Sequence, residues 1–329
     1  MNVRRRHISA LALTAVAALG AGTLTACSSD AAAGDTGKFD VVASFYPMAF
    51  LAERIGGEHV HVTSLTQPGQ EPHDLEISAR QTAQLEESDA ALFLKGLQPS
   101  VDEAITQSPI ATKIDAAELT ALEEHGPEAG HGEEHGDGHA DEHGHEDEHG
   151  HDHDHEGGDP HIWLDPVKYA EVAEGVGKAF QKADPDHAAD YRKNTATLVK
   201  DLKALDDKFR TGLANRETDV FVTTHAAFGY LAERYGLTEE AISGLDPDTE
   251  PSGARVKELQ KIAEEDGVTT VFYETLVSDR TAKTLAGDTG LRTDVLDPVE
   301  GITDHSRGED YFQVMEANLT ALRTALGAR

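Results

Sequence analysis

Residues 123–159 hold ten histidines and fifteen Asp and Glu, with no Lys, Arg, Phe, Tyr or Trp among them. Such a stretch buries too little apolar area to offset the entropy of ordering it, so it reads as a disordered loop and not as part of a core. It divides a 329-residue chain into two foldable parts. Its histidines are His125, His131, His135, His139, His143, His145, His149, His151, His153 and His155. Imidazole and carboxylate alternate along it, and both are good ligands for divalent metals. The tract is therefore expected to bind metal as a whole, with no single histidine given a fixed role.

The amino terminus reads as an address. Arg4, Arg5 and Arg6 precede an apolar run from Ile8 to Leu19 that is too short to span a bilayer. Leu24-Thr25-Ala26-Cys27 resembles the lipobox of bacterial lipoproteins, in which the cysteine is lipidated. Residues 1–26 are thus expected to be a signal peptide, exported by the Sec or the twin-arginine route, and Cys27 the lipidation site. Residues 27–38 are small and polar, as suits a tether. The protein is expected outside the cytoplasm, anchored to the cell membrane by lipid. Cys27 is the sole cysteine, which excludes an intramolecular disulfide and a cysteine zinc ribbon. With 61 acidic and 28 basic residues the formal charge is −33, which excludes a nucleic-acid partner on electrostatic grounds.

Strands are predicted at 39–45, 61–65 and 90–95, with helices near 49–55, 79–86, 101–106 and 167–183. Asp184-Pro185 reads as an N-cap and first helical residue, opening a long helix over 185–214. Tyr191, Leu198, Leu202, Leu205 and Phe209 form one apolar stripe on it. A helix packed along both halves of a monomer explains that stripe better than a coiled coil, whose heptads would repeat further. Strands at 220–224, 270–273 and 293–296 then alternate with helices near 226–235, 252–265, 280–286 and 310–325. This alternation predicts an α/β chain with mainly parallel sheets flanked by helices: an amino-terminal lobe over 39–184, the linking helix 185–214 and a carboxy-terminal lobe over 215–329.

Three histidines outside the tract stand beside turns or strand ends. His73 lies in EPHDLE, His161 in DPHIWLDP, and His225 ends the strand VFVTT. Ligand crevices of open α/β sheets lie beyond the carboxyl ends of strands, where His225 falls. Pro72 and Pro160 stiffen the backbone before the other two. His59, His61, His187 and His305 read as surface residues.

EPHDLE, the acidic His-rich insertion, DPHIWLDP, THAAFGYLAERYG, VFYETLVSD and GEDYFQVMEANL occur in that order. Together they resemble the substrate-binding lipoproteins of zinc- and manganese-uptake ABC transporters, over nearly all of the chain beyond the address. The resemblance implies a C-clamp of two lobes joined by a rigid helix, with one metal held between them. It implies His73, His161 and His225 as ligands, and a fourth from the last strand-to-helix turn or water. Glu300 is the first choice there, with Asp297 and Glu274 as alternatives. Three imidazoles with at most one carboxylate suit tetrahedral Zn²⁺, whereas oxygen-rich sites suit Mn²⁺. The implied function is capture of extracytoplasmic Zn²⁺ and its delivery to an ABC permease with a cytoplasmic ATPase. Uptake of Mn²⁺ or another divalent metal, and a surface adhesin or zinc buffer, are the alternatives. An enzyme is not expected, because no base stands beside the three histidines.

Overall fold

The computed structural model describes residues 37–126 and 158–329. The signal segment, Cys27, the tether up to Thr36 and the nine tract histidines from His131 to His155 lie outside the described residues. The first half runs β1 (Phe39–Ala43), α1 (Tyr46–Gly56), β2 (Val60–Ser64), α2 (Ala79–Glu87), β3 (Ala90–Phe93), α3 (Pro99–Gln107) and β4 (Thr112–Asp115). Its sheet has the order β2-β1-β3-β4 and is parallel throughout. After α4 (Pro166–Ala183) and α5 (Ala188–Gly212) the pattern repeats in β5 (Val220–Thr223), α6 (Gly229–Tyr235), β6 (Thr238–Ala241), α7 (Gly253–Glu265), β7 (Thr270–Tyr273), α8 (Arg280–Thr289), β8 (Arg292–Val295) and α9 (Tyr311–Ala325). The second sheet, β6-β5-β7-β8, is likewise parallel. Two parallel-sheet lobes flanked by helices result, as the alternation implied.

Two strands escaped the sequence pattern. β4 (TKID) and β6 (TEEA) are edge strands with half-exposed residues, so they carry charge in place of an apolar run. The inner strand β3 (AALF) is buried at all four positions, as a parallel strand covered on both faces should be.

The helix α5 has 25 residues, about 38 Å at 1.5 Å each. Its predicted stripe is buried and packs on α1 and α4 in the first lobe and on α9 from the second. The start of this helix differs from expectation. Pro185–His187 form a 3-10 turn, and Asp184 does not cap it through its side chain. Its carboxylate instead accepts the Tyr191 hydroxyl at 2.5 Å and His187 Nδ1 at 2.8 Å. His187 in turn is not a free solvent residue: its ring stacks on His59 with centroids 4.1 Å apart.

Aromatic contacts join the lobes. Tyr311, opening α9, lies 4.9 Å from the Tyr169 ring and 5.4 Å from Phe50, both in the first lobe. Within the first lobe Phe45 meets Trp163 edge-on at 5.0 Å, and Phe209 of the linking helix α5 stacks on Tyr235 of α6 in the second lobe at 5.2 Å. One apolar cluster therefore runs through both lobes.

The crossing of α4 and α5 is tight. A Cβ built on Gly177 would stand 2.2 Å from Thr195 Oγ1, which is committed to the Tyr191 carbonyl. Gly177→Ala is expected to lower stability by about 1–3 kcal/mol despite the better helix propensity of alanine, because the crossing must spread. Urea unfolding checks this, and adding Thr195→Ala should recover part of the loss.

Candidate metal centre

In each sheet the connections change direction between the two central strands, and the carboxyl ends of β5 and β7 lie side by side there. His225 follows β5 and Glu274 follows β7. The His225 Nδ1–H donates to Glu274 Oε1 at 2.6 Å, and the same oxygen accepts Thr224 Oγ1–H at 2.5 Å. The Thr223 hydroxyl holds the His225 carbonyl at 2.9 Å. The His225 ring is thus fixed with Nδ1 toward the carboxylate and Nε2 away from it.

His161 is held in the same way. Asp159 Oδ1 accepts both the backbone N–H and Nδ1–H of His161, at 2.9 and 2.8 Å. Burial alone would raise the pKa of Asp159, but the imidazoles of His125 and His161 and the backbone bond keep it below the usual carboxylate value. Asp159 is accordingly ionised and acceptor-only, which places the His161 proton on Nδ1 and leaves Nε2 facing inward. The Asp159 backbone N–H bonds to the Glu123 carbonyl at 2.8 Å, which brings these two points of the chain together. Gly158 makes that return possible: its φ is +82°, and a Cβ there would lie 2.9 Å from the Glu123 carbonyl oxygen.

His73 is placed by the 71–78 segment. Glu71 accepts the backbone N–H groups of His73 and Asp74, and the Pro72 carbonyl accepts Gln98 Nε2. Ser78 then starts α2 with a capping box through Gln81.

Glu300 arrives on a clamped turn. Asn318 accepts the Asp297 N–H and donates to its carbonyl, at 2.9 and 2.6 Å. Asp297 Oδ1 accepts the Val299 N–H at 2.8 Å, and Trp163 Nε1 holds the Pro298 carbonyl at 2.7 Å. Val299 itself sits at φ +59°, a strained position for a β-branched residue that the surrounding bonds enforce.

These elements bring His73, His161, His225 and Glu300 into one buried group. The three Nε2 atoms lie 3.2, 3.5 and 3.8 Å from Glu300 Oε1. Ligands about 2.1 Å from a tetrahedral Zn²⁺ are about 3.4 Å apart, so the cage has the right span. Nε2 of His161 and of His225 are buried with no hydrogen-bond partner among the described residues, although such atoms are normally paired. Burial raises the pKa of Glu300, yet His161, His73 and His225 outweigh it and hold the group well below the carboxylate range. Burial lowers that of His161, but Asp159 and Glu300 push it up to about 10. That of His225 is raised too, against its burial, chiefly by Glu274.

The two alternatives to Glu300 have other work. Glu274 backs His225 from behind, and Asp297 braces the turn and accepts Thr275 Oγ1–H at 3.1 Å. His305 lies exposed in its loop, and His61 pairs with Asp40 at 3.0 Å, away from the cage. Of the tract, only His125 falls within the described residues, and it is not free: Asp159 and Glu233 hold it at 2.9 and 3.1 Å. The sequence reading missed Asp159 and Asn318. An acid two residues before a histidine was a visible signal for the first, whereas nothing local marks an asparagine inside α9.

Two parallel-sheet lobes, a long helix and a buried imidazole–carboxylate cage in the seam define a two-lobed solute-binding protein. The chain belongs to the family described as zinc-uptake complex component A, periplasmic, whose model matches residues 41–325. It is 35% identical over 306 residues to the zinc-binding lipoprotein AdcA of Streptococcus pneumoniae, covering 91% of this chain and 58% of that relative's length. It is 34% identical to the high-affinity zinc uptake system protein ZnuA of Bacillus subtilis, over 88% of each chain. Among solved structures, the Zn(II)-bound ZnuA-like domain of S. pneumoniae AdcA superimposes with a TM-score of 0.69 at 31% identity, covering 88% of this chain and 99% of that one.

The clamp on the Glu300 turn can be tested apart from any ligand. Asn318→Leu keeps the side-chain size and strands the Asp297 N–H and carbonyl without partners. It is expected to cost about 2–4 kcal/mol in urea unfolding, from two buried groups left unpaired.

Proposed function

We propose that this protein captures Zn²⁺ outside the cytoplasmic membrane and delivers it to an ABC permease driven by a separate ATPase. The ion is held by Nε2 of His73, His161 and His225 and by Glu300. The observation that carries this reading is the pair of unpartnered buried Nε2 atoms of His161 and His225, converging with Glu300 at the span of a tetrahedral ion. Three nitrogens and one carboxylate favour zinc over manganese. The names of the AdcA and ZnuA relatives support the same cargo, as does the family's description as a zinc-uptake component. The lipobox and the lipoprotein named among the relatives support anchoring through Cys27.

Release follows from how the ligands are divided. His73 and His161 belong to the first lobe, His225 and Glu300 to the second. Parting the lobes leaves two ligands on each side, so a permease that binds the open form better lowers zinc affinity by population shift. Capture is helped by charge. Asp74, beside His73, faces Asp246 and Asp248, and the contact with Asp248 is the main cause that raises its pKa. A cation meets a strongly negative lip there.

His73→Ala, His161→Ala, His225→Ala and Glu300→Ala should each weaken zinc binding at least tenfold in competition titrations with a chelator, while Asp297→Asn should change it less than Glu300→Ala. Equal affinity in Glu300→Ala and the parent would remove Glu300 from the site.

The pH dependence has a definite sign. A raised imidazole pKa means that the metal-free site holds its protons tightly at neutral pH, so zinc must displace them. Affinity should climb from pH 6 to 8, by about tenfold per pH unit for each proton displaced. Calorimetry at pH 7 in buffers of different ionisation enthalpy should show at least one proton released per zinc. Binding without proton release would contradict it.

A further inference from the structure

Asp159 has a second oxygen, and a second imidazole is attached to it. Its Oδ2 lies 2.9 Å from His125 Nδ1, while its Oδ1 serves His161. One fully buried carboxylate thus holds two histidines back to back, each with Nδ1 inward and Nε2 outward. Fixing one ring nitrogen on a carboxylate is how metal-ligating histidines are oriented. His161 turns its Nε2 into the seam; His125 turns its own to the surface.

What His125 meets there is acidic. Its Nε2 is 3.1 Å from Glu233 Oε2 of α6, and the carboxylates of Glu123 and Glu233 lie side by side next to it. One ligand atom from each of Glu123, His125 and Glu233 lies within 4.8 Å of the others. Lys168 Nζ takes Glu123 Oε1 at 2.6 Å and the Ala121 carbonyl at 2.8 Å, so one oxygen of Glu123 is neutralised and its other oxygen remains for a ligand. The Tyr230 hydroxyl accepts the Glu123 N–H at 2.8 Å and donates to the Asp159 carbonyl at 2.8 Å, fixing both ends of the segment on the α6 side.

We propose that Glu123, His125 and Glu233 form a second divalent-cation site, at the foot of the histidine-rich tract and backed by the same carboxylate that backs His161. One nitrogen and two carboxylate oxygens leave positions for water, and the Glu233 side chain is 62% exposed. The site is therefore open and weaker than the buried cage. It takes Zn²⁺ or another ion that accepts mixed nitrogen and oxygen ligands. It is a defined chelate, distinct from diffuse binding along the rest of the tract, because its histidine is already oriented and little ordering is left to pay for.

The test uses the full-length chain with His131, His135, His139, His143, His145, His149, His151, His153 and His155 all changed to Asn, titrated with zinc chloride by calorimetry. Two zinc ions are expected, one tight and one weaker. Glu233→Gln, a change at an exposed side chain that leaves the fold intact, should weaken the second at least tenfold and spare the first. His125→Asn combined with Glu233→Gln should abolish the second. In the His73→Ala, His225→Ala double variant the weaker zinc should persist alone. A single zinc in the parent background, or an unchanged second zinc in Glu233→Gln, would reduce the His125–Glu233 contact to an ion pair and overturn the proposal.

Discussion

An imidazole backed by a buried carboxylate is the interaction on which the rest of this structure depends. A carboxylate out of water is costly unless its oxygens are matched by donors. Asp159 meets that demand with two imidazoles and a backbone N–H, and Glu274 with an imidazole and a threonine hydroxyl. The His161 and His225 rings, so fixed, face each other across the seam with centroids 5.4 Å apart, each tied from behind. Charge in that seam is strengthened by the low dielectric around it.

Such a cage requires two rigid walls. The parallel sheets supply them by ending their central strands side by side, and α5 and α9 keep the walls in register. α9 starts among the aromatics of the first lobe although its chain belongs to the second, and the Tyr311 hydroxyl bonds to the Trp163 carbonyl at 2.6 Å. Trp163 then reaches the Pro298 carbonyl in the turn that carries Glu300. The fourth member of the cage is thereby positioned from the opposite lobe. Arg234 of α6 adds a further tie, with its Nε 2.8 Å from Asp165 at the cap of α4. Any parting of the lobes would have to break several of these bonds together, which would favour two discrete states over a continuum.

Much of this was legible in the residues themselves. Alternating strands and helices implied the parallel sheets, and the stripe from Tyr191 to Phe209 implied a helix shared by both lobes. The prolines before His73 and His161 and the strand before His225 marked all three histidines that the structure draws together. The choice among Glu274, Asp297 and Glu300 was less open to reading. All three follow strands, and strand endings fix where a residue sits without fixing which way its carboxylate turns. That direction is decided by Thr224 for Glu274 and by Thr275 for Asp297, partners 50 and 22 residues away along the chain. The edge strands β4 and β6 were missed because edge positions tolerate charge, so their sequences carry no apolar signal. Asp184 and Pro185 do open the helical segment, but as a 3-10 turn, and the Tyr191 hydroxyl seven residues on takes the Asp184 carboxylate in place of the backbone.

The junction of Gly158 with Glu123 has a consequence for how this kind of chain can diverge. The strand of backbone that leaves at Glu123 returns within one hydrogen bond of its departure, and the contacts on both sides of the gap belong to the lobes. Whatever segment lies between closes a ring whose ends are already fixed. The entropy of closing such a ring grows only with the logarithm of its length, about 0.6 kcal/mol for each doubling. A change in the number of histidine–acid units between them would therefore cost the fold little, provided that the Asp159 N–H keeps the Glu123 carbonyl and position 158 stays glycine.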